Sequence, residues 1–280
     1  MAQGERINSP SERPLAGRRV AVLEHRELDR LGHMLEEQGA QTLRCPLVAI
    51  ADASDSASVL AWLRRFTASP PDDLVLLTGE GLRRLRGFAE RAGIEAPFHA
   101  ALARVRTITR GPKPARALRE IALTPGLRAA QPTMAGIIAT LAPLTLAGRR
   151  VAIQLYPEAP ATLADFLKRA GARPDPVVPY AYVPAVADAE IQALIEALAA
   201  GQVDAVAFTS MAQVTRLFAA AAAAGLQARL RSALGATAIA AVGPVVAAAL
   251  EREGLSVAIM PRDSFFMKPL VTAIATSFAP

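Results

Sequence analysis

Short apolar runs and amphipathic stretches alternate along most of the chain. Apolar runs that begin at Val20 and Val151 are each followed by an amphipathic stretch, and these stretches end at Gly39 and Gly171. A short apolar run is typical of a buried strand, whereas apolar residues spaced three and four positions apart indicate a helix. Glycine is the residue that a helix prefers just beyond its C-terminus. The pattern therefore predicts repeated strand–helix units.

The same alternation continues through the middle of the chain. Residues 75–78 and 107–109 are further short segments that fit a strand, and amphipathic stretches begin after them at about Gly81 and Pro114. Alternating strands and helices favour parallel sheets that are covered by helices on both faces. Ligands of such sheets bind beyond the carboxyl ends of the strands, so the strand-to-helix turns are the candidate site.

An internal repeat underlies this alternation. Residues 15–21 read Leu-Ala-Gly-Arg-Arg-Val-Ala, and residues 146–152 repeat them letter for letter, 131 positions later. The same offset relates 73–78 to 204–209, and a Gly-Pro pair at Gly111 recurs 132 positions later. Two copies of one α/β pattern predict two similar lobes, of the flavodoxin or Rossmann type.

Two extended, proline-marked segments interrupt the alternation at equivalent places in the two copies, and we expect them to form a two-stranded linker. One lobe is then discontinuous, because its first strand and helix come from the beginning of the chain and the rest from its last hundred residues. The predicted parts are a disordered leader (1–14), lobe 1 (15–45 and 184–280), lobe 2 (51–175) and linker strands (46–50 and 176–183).

Length and composition fit a folded protein of two domains. The chain has 280 residues, of which 52% are hydrophobic, and this is enough for two cores. No run approaches the 18 uncharged apolar residues of a membrane span, and the polar beginning lacks the apolar core of a signal peptide. We expect a soluble, cytoplasmic monomer that does not bind membranes.

The net charge is +6, and almost all of the positive charge comes from arginine. Arginine binds carboxylate or phosphate with two parallel hydrogen bonds, so the charge favours an anionic ligand. Solvated helix faces in an alanine-rich and arginine-rich chain explain the same composition and remain an alternative. Nucleic acid is not expected as a partner, because the arginines are spread along the chain and few aromatic residues lie among them.

Residue types that support metal or nucleotide chemistry are scarce. One cysteine, Cys45, excludes an internal disulfide, and three scattered histidines offer no metal-ligand spacing. No phosphate-binding glycine pattern of the Walker or dinucleotide type follows a predicted strand. We therefore expect neither a metal nor a nucleotide.

The order of several short motifs resembles the uroporphyrinogen-III synthase family over about residues 18–276. Each motif alone is weak, whereas their order and spacing together are specific. The motifs are 19–23 with Arg26, 77–81, 109–113, 154–156, Tyr180, 207–210 and 241–244.

The resemblance implies two α/β lobes joined by a two-stranded linker, and a lyase of haem biosynthesis that needs no cofactor. Such enzymes cyclise hydroxymethylbilane, a linear tetrapyrrole with eight carboxylates, to uroporphyrinogen III, with loss of water and inversion of ring D. In the family the substrate lies between the lobes, held largely by backbone amides and hydroxyls at strand-to-helix turns. The substrate-binding positions that the resemblance implies are Arg26, Thr78, Gly79, Gly81, Gly111, Pro112, Lys113, Gln154, Tyr156, Thr209, Ser210, Gly243, Pro244 and Val245. Lys268, near the C-terminus, is a further candidate that could face a carboxylate at a lip of the cleft.

Tyr180 matches the linker tyrosine that is proposed in the family as the catalytic acid. A phenol can donate a proton or a hydrogen bond at neutral pH. Packing of Tyr180 in the linker, with its hydroxyl bonded to backbone, is the alternative. Two positions depart from the pattern, because Gly79 stands where many relatives carry serine and Val245 where they often carry threonine.

Two other interpretations remain open at this point. One is a relative that senses a tetrapyrrole or another anion without catalysis, on the same fold. The other is a two-lobed receptor of the periplasmic type, against which the absence of a signal peptide counts.

Overall fold

Parallel strands alternate with helices throughout residues 13–279, the part of the chain that the computed structural model describes. The predicted leader, residues 1–14, lies outside the described residues except for Arg13 and Pro14. The strands are β1 (Arg19–Val22), β2 (Gln41–Arg44), β3 (Val48–Asp52), β4 (Asp73–Leu76), β5 (Arg106–Thr109), β6 (Leu127–Arg128), β7 (Arg150–Gln154), β8 (Arg173–Val177), β9 (Tyr180–Pro184), β10 (Ala205–Phe208) and β11 (Ala238–Ala241). The helices are α1 (Leu28–Glu37), α2 (Ser56–Ala68), α3 (Gly79–Arg91), α4 (Glu95–Leu102), α5 (Pro112–Arg119), α6 (Met134–Leu141), α7 (Thr162–Arg169), α8 (Asp188–Ala199), α9 (Met211–Ala223), α10 (Gln227–Gly235), α11 (Pro244–Arg252) and α12 (Met267–Ser277).

These elements form two compact units. Unit 2 comprises Ile50–Tyr182, and unit 1 comprises the described residues up to Ala49 together with those from Val183 onward. The sheet of unit 1 has the strand order β11-β10-β1-β2, and the sheet of unit 2 has the order β6-β5-β4-β7-β8. All neighbouring strands in both sheets are parallel. This confirms the predicted class of two parallel-sheet α/β lobes, one of them discontinuous.

The internal repeat is visible in the sheets. Strand β1 corresponds to β7, β2 to β8, β10 to β4 and β11 to β5, so both sheets place equivalent strands in the same order. The match extends to the edge, where an isolated bridge between Ala240 and Ile259 in unit 1 occupies the place of the pair Ile108 and Leu127 in unit 2. The two units are therefore copies of one architecture, although the equivalent strands follow one another in a different order along the chain.

The two proline-marked segments are each divided in the structure. Residues 41–44 and 173–177 form the edge strands β2 and β8 of the two sheets, and only β3 and β9 pair with each other as a two-stranded sheet. The breaks fall at Pro46 and Pro179, because proline has no N–H with which to continue a ladder.

Each unit has its own buried core, and the cores differ in kind. The core of unit 1 is mostly aliphatic and rich in alanine, with Phe208 fully buried on β10. In unit 2, Trp62 stacks on Phe66 with 5.0 Å between ring centroids, and Phe66 packs edge-on against Phe98 at 5.5 Å. The central strands are buried on both faces, as helix-covered parallel strands are.

Ion pairs at the amino ends of the central strands also repeat. The fully buried carboxylate of Asp73 accepts from Arg106 Nε at 2.5 Å and from Arg149 Nε at 2.7 Å. At the equivalent place in unit 1, Asp204 accepts from Arg18 Nη1 at 2.9 Å and is partly exposed. These charges lie at the end of each sheet opposite the strand-to-helix turns, so they stabilise the fold away from the candidate site. Within residues 13–279, no helix combines the length and the hydropathy needed to cross a membrane.

Candidate functional site

The candidate site of unit 2 lies at the point where the strand order of the sheet reverses. From β4 the chain moves one way to β5 and β6, and from β7 it moves the other way to β8. Crossover helices leave opposite faces on the two sides of such a point, which opens a crevice beyond the carboxyl ends of the strands. The crevice of unit 2 therefore lies between the ends of β4 and β7, at Thr78 and Gln154.

A network of hydrogen bonds joins these two strand ends. The fully buried side chain of Gln154 places Oε1 3.0 Å from the Thr78 backbone nitrogen and 3.3 Å from Thr78 Oγ1. Thr78 is the N-cap of α3, and its Oγ1 accepts from the backbone nitrogen of Gly81 at 3.0 Å. The hydroxyl of Thr78 is thus fixed by groups on both sides.

The two glycines of this turn are required by space. A Cβ at Gly81 would lie 1.9 Å from the Gln154 side chain, and one at Gly79 would lie 2.6 Å from the carbonyl oxygen of Lys113. Neither glycine has a positive φ. The absence of a side chain at Gly79 therefore lets the first turns of α3 and α5 pack closely, which explains the departure from serine at this position.

Tyr180 completes the network from β9. Its hydroxyl lies 3.3 Å from Thr78 Oγ1, and its ring is almost fully buried and meets the ring of Tyr182 edge-on at 5.7 Å. Burial raises the pKa of Tyr180 above its ordinary range; nearby Tyr182 acts in the same direction, while Thr78 and the charge of Arg110 act against it. Tyr180 therefore carries its proton at neutral pH and can donate a hydrogen bond.

Arg110 supplies positive charge beside these hydroxyls. It follows β5 directly, and its Cζ lies 5.3 Å from the centroid of the Tyr156 ring. Burial lowers the pKa of Arg110, whereas the oxygens of Tyr156, Tyr180 and Tyr182 raise it. The Tyr156 ring and the Arg110 guanidinium form a cation–π pair, and the Tyr156 hydroxyl interacts with the guanidinium as well.

The equivalent turn of unit 1 is arranged differently. Here Gln213, in the first turn of α9, places Oε1 2.8 Å from the Thr209 backbone nitrogen and 3.3 Å from that of Ser210. The Thr209 hydroxyl donates to the carboxylate of Glu24, and Gln213 Nε2 lies 3.4 Å from the same carboxylate. Both backbone amides at this turn already have an acceptor inside the unit, and a negative charge stands beside them.

The remaining predicted positions of unit 1 lie around the turns after β1 and β11. At Gly243 a Cβ would lie 2.9 Å from the ring of Phe265, so this glycine makes room for an aromatic side chain. Val245 is partly buried in the first turn of α11, and Lys268 is exposed in the first turn of α12. Arg26 is exposed on the loop between β1 and α1.

The structure thus brings together some of the residues that were predicted to form the site. Thr78, Gly79, Gly81, Gln154 and Tyr180 meet in unit 2. Gly111 and Pro112 lie at the start of α5, and exposed Lys113 contributes its carbonyl to the packing at Gly79. The substrate-binding and catalytic roles of all predicted positions remain predictions.

Two functional candidates were not singled out from the sequence. Arg110 lies inside a motif that was recognised, but nothing in one sequence distinguishes it from the other arginines. Glu24 follows β1 where the second copy has Leu155, and a comparison of the two copies position by position could have revealed this charge. Among residues 13–279, no group of three or more histidine, cysteine, aspartate or glutamate side chains could hold a metal ion.

Several known proteins are similar to this chain. An uncharacterized protein of Bacillus subtilis (strain 168), YjjA, is 32% identical over 248 residues, which are 88% of this chain and 91% of the relative. A mutant uroporphyrinogen III synthase of the extremely thermophilic bacterium Thermus thermophilus is 29% identical, with a TM-score of 0.71 over 93% of this chain and 99% of that chain. The uroporphyrinogen-III synthetase of Helicobacter pylori 26695 shares the fold at 13% identity, with a TM-score of 0.52 over 93% of this chain and 99% of that one.

The family comparison covers most of the chain. The family described as "HEM4: Uroporphyrinogen-III synthase HemD" matches residues 29–271, which include both candidate turns. With this match, the chain belongs to the uroporphyrinogen-III synthase family.

Proposed function

We propose that this protein is a uroporphyrinogen-III synthase, a lyase that cyclises hydroxymethylbilane to uroporphyrinogen III with loss of water and inversion of ring D. The observation that carries the proposal is the pair of hydroxyls of Thr78 and Tyr180, 3.3 Å apart, at the reversal point of unit 2, where Gln154 holds Thr78. Family membership and the Thermus enzyme's TM-score support the same conclusion.

The first chemical demand of this reaction is departure of a hydroxyl group from the terminal carbon of the bilane. A donor that protonates or hydrogen-bonds the leaving oxygen lowers this barrier. Tyr180 suits the role as a hydrogen-bond donor, because its raised pKa keeps the phenol neutral throughout the physiological range. The same raised pKa makes full transfer of its proton harder, so a nearby positive charge is needed to stabilise negative charge on its oxygen.

The hydroxyl of Thr78 can support this donor in a defined way. A threonine hydroxyl has one hydrogen to donate, and Thr78 Oγ1 lies 3.3 Å from both Gln154 Oε1 and the Tyr180 hydroxyl. When Tyr180 donates to the leaving group, Thr78 is free to donate to Tyr180 in turn. Such a donation stabilises the phenol oxygen as its proton moves toward substrate.

We attribute the rest of the rate enhancement to the positioning of the substrate. Ring closure needs the last pyrrole to reach the terminal carbon through its substituted position, as a spiro intermediate, before it is inverted. Holding reacting atoms in contact removes much of the entropic barrier of such a step. Loss of water and a proton returned from the pyrrole balance the reaction, so the residues described here need only bind, orient and exchange a proton.

The experiment that tests this function is a product analysis. Purified full-length protein is mixed with freshly generated hydroxymethylbilane, and the oxidised porphyrins are separated by isomer. We expect uroporphyrin III in excess over the type I isomer that forms spontaneously.

A second sample, with a known synthase in place of this protein, checks that the substrate is active. If that control gives type III and this chain gives only type I, the catalytic proposal is wrong. A relative that binds tetrapyrroles or other anions without catalysis would then be the better description.

A further inference from the structure

We infer that Arg110 binds a carboxylate of the ligand at the end of β5, next to the hydroxyl pair of Thr78 and Tyr180. The inference rests on the proposed function, since it assigns a residue to the same site. It adds Arg110 to a turn at which the family resemblance implied largely backbone amides and hydroxyls.

The first argument is that Arg110 lacks a carboxylate partner, whereas Arg84, Arg106 and Arg149, which are also partly buried in unit 2, each have one. Arg84 contacts Asp52 and Glu80, each at 2.8 Å, and Arg106 and Arg149 share Asp73. Within residues 13–279, no carboxylate oxygen lies within 4.0 Å of the Arg110 guanidinium. A partly desolvated cation without a counter-charge is costly, and an anionic ligand removes that cost.

The second argument concerns the groups around the guanidinium. Tyr156, Tyr180 and Tyr182 are near enough to interact electrostatically with it. The exposed Glu158 acts electrostatically on Tyr182, and no carboxylate is among the groups that shift the pKa of Arg110. The Tyr156 ring lies 5.3 Å from the guanidinium carbon, and the Tyr156 hydroxyl also interacts with the group. A guanidinium has five N–H donors, so donors remain for a planar anion, and carboxylate is the matching shape.

The third argument is that the backbone fixes where Arg110 stands. Its N–H donates to the carbonyl of Leu76 at 3.0 Å, at the end of the neighbouring strand β4. Gly111 follows as the N-cap of α5, where a Cβ would lie 2.9 Å from Pro132. Strand end and helix start therefore hold Arg110 on one side of the Thr78 turn, with the positive end of α5 beside it.

Binding of uroporphyrin III, the oxidised form of the expected product, tests the inference by fluorescence titration. We expect Arg110→Gln to raise the dissociation constant about tenfold or more, since a hydrogen bond to a charged group contributes about 1.5–3 kcal/mol. Arg110→Lys keeps the positive charge but cannot bind a carboxylate with two parallel hydrogen bonds, so we expect its affinity to lie between those of the wild type and Arg110→Gln. Arg119→Gln removes the same charge from an exposed position of α5 and serves as the matched control. Affinity of Arg110→Gln within twofold of the wild type would overturn the inference.

A measurement on the unaltered protein avoids any loss of folding in the variants. The arginine reagent phenylglyoxal is applied with and without uroporphyrin III, and modified residues are identified by mass spectrometry. We expect uroporphyrin III to protect Arg110 and to leave the modification of Arg119 unchanged. Equal modification of Arg110 with and without uroporphyrin III would contradict the inference.

The activity assay separates this inference from the proposed function. If the wild type forms type III product and Arg110→Gln keeps both its KM and its affinity, the function stands and the inference fails. If the wild type forms only type I product but binds uroporphyrin III through Arg110, the function fails and the inference stands. Where both hold, Arg110→Gln raises KM more than it lowers kcat, because a carboxylate contact is made in the ground state as well as in the transition state.

Discussion

The two units satisfy the backbone N–H groups of equivalent threonines with glutamines from different elements. Thr78 in unit 2 and Thr209 in unit 1 follow equivalent central strands, and a glutamine side chain holds the backbone N–H of each. In unit 2 the glutamine, Gln154, comes from the end of the neighbouring strand. In unit 1 it is Gln213, which comes from the helix that begins at the turn. The glutamine is therefore recreated at a different position in each copy rather than inherited from the repeat.

Two charged residues at the turns have no charged counterpart in the other copy. Arg110 of unit 2 corresponds to Val242 of unit 1, and Glu24 of unit 1 corresponds to Leu155 of unit 2. Tyr180 corresponds to Ala49, so unit 1 also lacks the phenol. On the proposed function, Arg110 would attract a carboxylate of the ligand, and Glu24 would repel one. The repeat supplied the same scaffold twice, and the two copies differ in the charges and hydroxyls at a few strand ends.

The largest effect expected from this comparison is on turnover at Tyr180. Tyr180→Phe removes the donor and keeps the buried ring, so we expect kcat to fall about 10²-fold, as for other catalytic acids, with a smaller change in KM. Formation of type III product by the purified variant gives both constants.

The matched substitution in unit 1 is Thr209→Val, which removes a hydroxyl bonded to Glu24. We expect this variant to lose stability and to keep kcat within the same order of magnitude as the wild type. A larger loss of kcat in Thr209→Val than in Tyr180→Phe would reverse the comparison and assign the chemistry to unit 1.

The next effect concerns stability at the amino ends of the sheets. Asp73→Asn removes the charge between Arg106 and Arg149, and we expect a loss of about 2 kcal/mol in the free energy of unfolding. This is less than for a fully buried pair, because both guanidiniums reach solvent. Asp204→Asn should cost about 1 kcal/mol or less, since its partner Arg18 is more exposed. Denaturant unfolding measures both, and equal losses would show that burial does not distinguish the two pairs.

A third pair of substitutions separates folding from function. Gln154→Met and Gln213→Met each leave a backbone N–H without its acceptor, so we expect both to lose about 1–2 kcal/mol of stability. Only Gln154→Met should also lower kcat, by roughly tenfold, because Gln154 orients the Thr78 hydroxyl that contacts Tyr180. If both variants lower kcat to the same extent, the turn of unit 1 takes part in catalysis as well.

Much of the fold is predictable because it depends on pattern. Apolar runs at Val20 and Val151 become the central strands β1 and β7, and Gly39 and Gly171 follow the helices with positive φ, as C-terminal caps. The repeat offset also predicts that one lobe is discontinuous. What the pattern does not provide is the division of each linker segment into an edge strand and a paired strand, since both parts fit an extended conformation.

The candidate site is less predictable, because contacts between distant residues create it. Thr78 and Gln154 are 76 positions apart, and Tyr180 reaches Thr78 across 102 positions. Their family motifs identify them, but only the strand order brings them together. The reason for Gly79 was also hidden, since it depends on a carbonyl of Lys113 in a different helix.

The smallest expected effect concerns the loss of stability of the two units at alkaline pH. Burial and the charge of Glu190 raise the pKa of the Cys45 thiol in unit 1 to about 11. The unfolded thiol loses its proton first, so the stability that the thiol contributes is complete below pH 9 and is lost as the pH rises toward 11. At pH 10 the loss from Cys45 is about 1 kcal/mol. Tyr180 and Tyr182 of unit 2 ionise in the unfolded chain near pH 10, so the stability lost through their phenols grows mainly above that pH. Unfolding curves at pH 8 and pH 10 should therefore differ less for Cys45→Ala than for the wild type, and an unchanged difference would exclude Cys45 as the cause.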